Sequence, residues 1–331
     1  MHIRHSFAVS LWLAVLLAGS TAAAQSNSNA AARQWFLSSH LFQTSSGITI
    51  NYAEQGDPQG PVLVFLHGGG DSWHSWDRVF PLIPARYHVY ALTLRGHGLS
   101  DHPEHGYATD YFAADALDFL KKKEIHQATL IGHSLGSFVA QRLVETDPGR
   151  IARLVLIGSG ATLNETASDH NQPFTFFATL QDPIPASFAR DFQASTIHAQ
   201  VPAANFELWV AEAQRVTAVT LRGIAHDFHS NSAELGKIKL PVLILWGDHD
   251  EIFSRADEDK LVAALPNAHL KVFADTGHAL HWERPELFTH ELLHFVGGTP
   301  QHRSRKPLHG LKIADDRPYM IKLLQLNQRD M

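Results

Sequence analysis

Apolar residues in the middle of the chain fall into short runs separated by glycine-rich or polar breaks. Val62 to Leu66 is continuously apolar, the pattern of a strand buried on both faces. His88 to Leu94, Ala128 to Ile131, Ile151 to Ile157, Val242 to Trp246 and Leu270 to Phe273 read as further strands, and 47–54 (GITINYAE) alternates like one. Between them, Ala113 to Lys121, Leu135 to Val144, Ala256 to Ala264 and Pro285 to Phe295 read as helices. Repeated strand–helix units predict an α/β protein, a doubly wound and mostly parallel sheet with helices on both faces.

The alternation stops between Gly160 and about Lys239. That stretch is rich in Phe, Ala and Gln, contains Pro183 and Pro185, and reads as several short helices inserted between two strands. Both ends of the chain also differ from the middle. Arg4, the apolar run from Phe7 to Gly19 and the small residues Ala22 to Ala24 before Gln25 have the form of a cleavable export signal. A retained anchor is the rival reading, but the apolar run is short against the roughly 20 residues a span needs. The expected organisation is a signal peptide at 1–24, a folded domain at 25–298 with its insertion at about 160–239, and a basic, poorly ordered tail at 299–331. The mature protein is then expected to be secreted or periplasmic, without stable membrane insertion.

Composition narrows the chemistry. The chain of 331 residues carries 27 Lys and Arg against 33 Asp and Glu, a net charge of −6, so no global basic field favours nucleic acid. Cysteine is absent, which removes disulfides, thiolate nucleophiles and Cys-ligated metal centres together.

Four segments carry candidate chemistry. Gly132-His133-Ser134-Leu135-Gly136 is a G-x-S-x-G lying directly between a strand and an apolar helix, the context in which a serine sits on a strained turn with unpaired helix N–H groups beside it. His67-Gly68-Gly69-Gly70 follows the strand at Val62 to Leu66 and can free a backbone N–H for an oxyanion hole, Gly69 and Leu135 being the expected donors. Gly247-Asp248-His249-Asp250 and Gly277-His278 each follow a late strand. Catalysis by serine needs a base for its proton and an acid to fix the base's tautomer. The order Ser134, Asp250, His278 matches the Ser…Asp…His class of triad, each member at the carboxyl end of a strand.

With these residues in view, the chain resembles the α/β-hydrolase superfamily from about residue 45 to 297, through VFLHGGGDSWHSW, LRGHGLSDHP, LIGHSLGSFVAQRL, VLILWGDHDEIF and TGHALHWERPELF. The resemblance implies an eight-stranded sheet with a helical lid after the sixth strand, and places the catalytic acid on Asp250 ahead of Asp248. Asp248, next to Gly247, is expected to bond local backbone. One departure is Thr93, where many relatives carry Asp two residues before Arg-Gly. Serine at 134 excludes the aspartate-nucleophile dehalogenases and epoxide hydrolases of the same fold.

A competing motif is His290-Glu291-Leu292-Leu293-His294, a literal H-E-x-x-H, but the longer zinc pattern needs a third histidine where Pro300 stands. His226 and His229 could share a metal, though an exposed lid helix explains them equally. Asn164-Glu165-Thr166 is a glycosylation sequon. No cofactor and no metal are expected. Phe174, Phe176, Phe177, Phe188, Phe192, Phe206 and Trp209 in the insertion, with Trp73 and Trp76, point to a mostly apolar pocket for a small-molecule substrate. The sequence therefore predicts an exported serine hydrolase of small to medium ester-like compounds. Lactone or C–C bond cleavage by the same triad, and a non-catalytic ligand binder, are the alternatives.

Overall fold

A computed structural model describes residues 37–163, 175–230 and 234–297. The expected signal peptide, the sequon at Asn164 and the C-terminal tail lie outside the described residues.

Eight strands form one mixed sheet: β1 (Ser38–Gln43), β2 (Thr49–Gly56), β3 (Val62–Leu66), β4 (His88–Leu92), β5 (Ala128–His133), β6 (Ile151–Ile157), β7 (Val242–Gly247) and β8 (Ala268–Phe273). Their order across the sheet is β1-β2-β4-β3-β5-β6-β7-β8. β1 pairs antiparallel with β2 and β2 with β4, and every later pair is parallel. The helices around the sheet are α1 (Thr109–Lys122), α2 (Leu135–Thr146), α6 (Arg255–Ala264), α7 (Leu280–Glu283) and α8 (Pro285–Gly297). Between β6 and β7 the lid contributes α3 (Ala186–Ser195), α4 (Ala203–Ala213) and α5 (Ala218–Asp227).

The continuous apolar runs follow from burial on two sides. Along β3, Val64 and Leu66 face one core layer with Leu130, Leu154, Ile244 and the inner faces of α1 and α2. Leu63 and Phe65 face the other, with Ile131, Val155, Leu245, Trp76 and the α8 residues Phe288 and Leu292. Side chains alternate across a strand, so a strand covered on both faces has no polar positions to alternate. The result is a rigid frame whose strand ends β3, β5, β7 and β8 carry the loops of the site.

β1 was not expected. Its sequence SSHLFQ is exposed at nearly every position on the sheet edge, so it lacks the apolar signal that marks the interior strands. Thr93, the departure noted in the sequence, accepts a hydrogen bond from the Trp73 N–H at 3.1 Å, tying the β4 end to the glycine loop.

Candidate active site

The turn between β5 and α2 sets the geometry. Ser134 has φ 49° and ψ −120°, a conformation L side chains rarely adopt. Two close backbone approaches hold it there. A Cβ on Gly132 would lie 2.4 Å from the Gly136 carbonyl oxygen, and one on Gly136 would lie 2.5 Å from the Leu66 and His67 oxygens. The flanking glycines of the motif are thus required by crowding. The Gly136 N–H also donates to the His67 carbonyl at 3.1 Å, fastening the elbow to the glycine loop.

His67 shapes that loop. Its Nε2 accepts from the Leu94 N–H at 2.9 Å, so Nδ1 carries the proton and donates to the Gly68 carbonyl at 2.7 Å. Burial, with His97 beside it, keeps the ring neutral well below the usual histidine range. Gly69 and Ser134 line the same cleft, and a Cβ on Gly69 would lie 3.9 Å from Leu135 Cδ1. As first residue of α2, Leu135 has no carbonyl one turn behind it to accept its N–H.

Asp250 and His278 meet across the ends of β7 and β8. His278 Nδ1 lies 2.8 Å from Asp250 Oδ2. Asp250 Oδ1 accepts the Ile252 and Phe253 N–H groups at 2.8 and 3.0 Å, which fixes the carboxylate's orientation. With Nδ1 donating to the acid, Nε2 is left as acceptor; it is buried without a hydrogen-bond partner. Asp248 instead pairs with His249 at 2.7 Å and accepts from the Thr276 N–H at 3.4 Å. Gly158, at the end of β6 with φ +51°, leaves the room His278 occupies, since a Cβ there would lie 2.6 Å from its Nδ1. The sequence analysis had not singled out this glycine.

Ser134 and His278 open onto a narrow cleft lined also by Gly68, Gly69, Asp71, His133, Phe192, Gln193, Thr196, Ile252 and Trp282. Phe192 is the lid aromatic that reaches it. Trp209 stacks on Trp282 at 4.0 Å, Trp76 belongs to the sheet core, and Phe206 lies beneath Arg190. Side chains of Phe174 and Phe176 lie outside the described residues. The lining mixes apolar and polar residues, and the polar residues Asp71 and Gln193 were not legible as site residues. Burial raises the Asp71 carboxyl to about 7, against hydrogen bonds from Gln193 and Ser75 that favour its ionised form.

A second serine–histidine pair lies behind the cleft, Ser75 Oγ to His281 Nε2 at 3.1 Å. It is built differently. Ser75 is 1% exposed, sits in a short 3-10 turn (Trp73–Trp76), does not line the cleft, and its oxygen is occupied by the Trp282 indole N–H at 3.0 Å.

The motif on α8 is no centre either. Glu291 pairs with Lys271 at 2.8 Å, and the exposed His290 and His294 rings lie 6.5 Å apart. His226 on α5 pairs with Asp227 at 2.7 Å. Among the described residues no group of three His, Asp or Glu side chains is placed to hold a metal.

A family profile describing the alpha/beta hydrolase fold matches residues 61–285. The chain belongs to that family. It is similar to a non-heme chloroperoxidase of Streptomyces lividans, 28% identical over 76% of this chain and 98% of the relative. A 3-oxoadipate enol-lactonase of Acinetobacter baylyi is 24% identical over 75% of this chain and 92% of the relative. A structure described as a putative aryl esterase from Burkholderia cenocepacia superposes with a TM-score of 0.71 at 23% identity, over 78% of this chain and 98% of that one, a likeness of fold.

Proposed function

We propose that this α/β hydrolase is a serine esterase working through an acyl-enzyme, with Ser134 as nucleophile, His278 as base and Asp250 as its orienting acid. The observation that carries the reading is the pairing of His278 Nδ1 with Asp250 at 2.8 Å, which leaves Nε2 unpartnered beside a serine held at positive φ. In the reaction His278 Nε2 takes the Ser134 proton as Oγ bonds to the ester carbonyl carbon. The N–H groups of Gly69 and Leu135 receive the oxyanion. When the carbonyl re-forms, the alcohol leaves with the proton from His278, and water repeats the sequence to release the acid. The protein's own residues fill every role.

The substrate is a small molecule, to which the cleft offers Phe192, Ile252 and Trp282 as apolar lining. The same steps open a lactone, a reading favoured by the similarity to the enol-lactonase. The pattern of residues 1–25 supports export, with cleavage before Gln25. Turnover of p-nitrophenyl acetate by the purified protein tests the central reading: a burst of nitrophenol equal to the enzyme concentration supports an acyl-enzyme, and a wild-type protein that only binds the ester contradicts it.

A further inference from the structure

The cleft is lined by a carboxyl group that the reaction does not use. Asp71 is 3% exposed and lines the cleft beside Ser134. Its oxygens are held by neutral donors, Oδ1 by the Gln193 amide of α3 at 2.9 Å and Oδ2 by the Ser75 hydroxyl at 3.2 Å. Ser75 Oγ also lies 3.0 Å from the Trp282 indole nitrogen and 3.1 Å from His281 Nε2; with both donating into it, its one hydroxyl proton goes to Asp71. The carboxyl is therefore fixed in place before any ligand arrives.

What it lacks is a cation. Asp115 is answered by the Arg95 guanidinium at 2.6 and 2.7 Å, and Glu212 pairs with Arg215 at 3.0 Å; Asp71 has no such partner. The nearest basic group to Asp71 is His133, with Nδ1 3.9 Å from Oδ2, beyond hydrogen-bond distance. Burial and the neighbouring His281 and His278 hold that ring neutral, well below the usual histidine range. The residues lining the cleft include no lysine or arginine, and Phe192 and Trp282 are among its aromatic lining.

We propose that Asp71 determines specificity in this cleft by selecting esters that carry an ammonium group over neutral ones, and neutral ones over those that carry a carboxylate. A bound ammonium supplies the missing counter-charge, whereas a carboxylate meets Asp71 with no base to offset it. The proposal deepens the esterase reading and rests on it for turnover, but not for binding.

Three acetates of similar size test it: 2-(trimethylammonio)ethyl acetate, its neutral isostere 3,3-dimethylbutyl acetate, and 4-acetoxybutanoate. At pH 8 the wild type is expected to prefer the cationic to the neutral ester in kcat/KM by about tenfold or more, an effect of about 1.4 kcal/mol, with the anionic ester slowest. Asp71→Asn keeps the shape of the side chain and is expected to bring the cationic-to-neutral ratio close to one. The wild-type ratio is also expected to fall as pH is lowered from 8 to 6, because Asp71 takes up a proton near 7 and the quaternary ammonium does not titrate. The groups facing Asp71 are Ser75 from the 3-10 turn, Gln193 from α3, His133 from β5 and His278 from the loop after β8, with His281 of α7 behind Ser75. Any effect of pH on the catalytic steps the two esters share divides out of the ratio. This wild-type measurement decides the matter even if the Asn variant does not fold.

A ratio near one in the wild type at pH 8, or a ratio that survives Asp71→Asn, overturns the proposal. Binding of 2-(trimethylammonio)ethyl acetate to Ser134→Ala, followed by tryptophan fluorescence, separates the two readings. If no ester turns over but binding weakens about tenfold when Asp71→Asn is added, the esterase reading fails and this one stands. Turnover without charge preference sinks this one alone.

Discussion

The Ser134 backbone carries the most distinctive residue-level feature of the molecule. A positive φ at a residue with a Cβ costs about 1–3 kcal/mol, and it is held here by the Gly132 and Gly136 approaches. Ser134→Ala keeps that strain, so it should abolish ester turnover and leave the melting temperature within about a degree. Ser134→Gly relieves the strain, offset in part by about 0.5–1 kcal/mol of extra chain entropy. It should be equally inactive but melt a few degrees higher. Paired calorimetry of the two variants checks this, and a glycine variant less stable than the alanine one would show that the elbow is relaxed. Asp250→Asn preserves size but disfavours the Nδ1–H tautomer of His278, a loss of about 10⁴-fold in kcat for a comparable triad. Asp248→Asn, whose partners are His249 and the Thr276 N–H, should lose less than tenfold. Steady-state kinetics of both, with folding verified by circular dichroism, decide between the two acids. Ser134, His278 and both carboxylate candidates were legible because motif and strand end coincide. Asp71 and Gln193 were not, since they meet from positions 122 residues apart and each alone is an ordinary polar residue.

At the scale of elements, the short helix α7 ties the lid to the histidine loop. Glu283 accepts N–H groups from Gly277, next to His278, and from His198 and Ala199 in the lid, at 2.9, 3.0 and 2.7 Å. Glu283→Ala leaves the buried Gly277 donor unpaired, at a cost of about 1–3 kcal/mol, and also loses the two part-buried bonds to the lid. The variant should lose at least 2 kcal/mol in urea denaturation and most of its kcat, with KM less affected. Unchanged stability would mean that the lid loop is held by other contacts. Interior strands were readable because burial on both faces writes continuous apolar runs into β3 and β7. β8 was read two residues short because its first positions, Ala268 and His269, lie at its more exposed end. α1 was read from Ala113 although it begins at Thr109, because its first turn carries Asp110 and the exposed Tyr111. The lid helices were foreseen as a group, but their ends follow from tertiary contacts that local periodicity does not encode.

Across the whole molecule, buried titratable groups set the response to pH. His67, His133 and His281 are held neutral well below the usual range by burial, and His97 is lowered to about 4. An unfolded chain protonates its histidines near pH 6.5, so the unfolded state binds more protons below that value and stability falls with acidification. Asp71, raised to about 7, and Glu258, raised by burial and by Asp250, act in the opposite sense, binding protons in the folded state first. Asp115, Glu145 and Glu251 are raised by burial as well, and the four histidines set the net direction, a loss of stability between pH 6 and 5. Thermal melts should therefore shift downward from pH 7 to 5; a melting temperature constant over that range would contradict the assignment of these histidines as neutral.

The claim on which all of this turns is that Ser134 is the nucleophile. Labelling with a fluorophosphonate, followed by peptide mass analysis, tests it most directly, because the reagent bonds to a serine activated by its base and records which one. The structure predicts a single adduct on the peptide containing Ser134, lost in Ser134→Ala and strongly slowed in Asp250→Asn. An adduct on Ser75, or a folded protein that takes up no label, would contradict it.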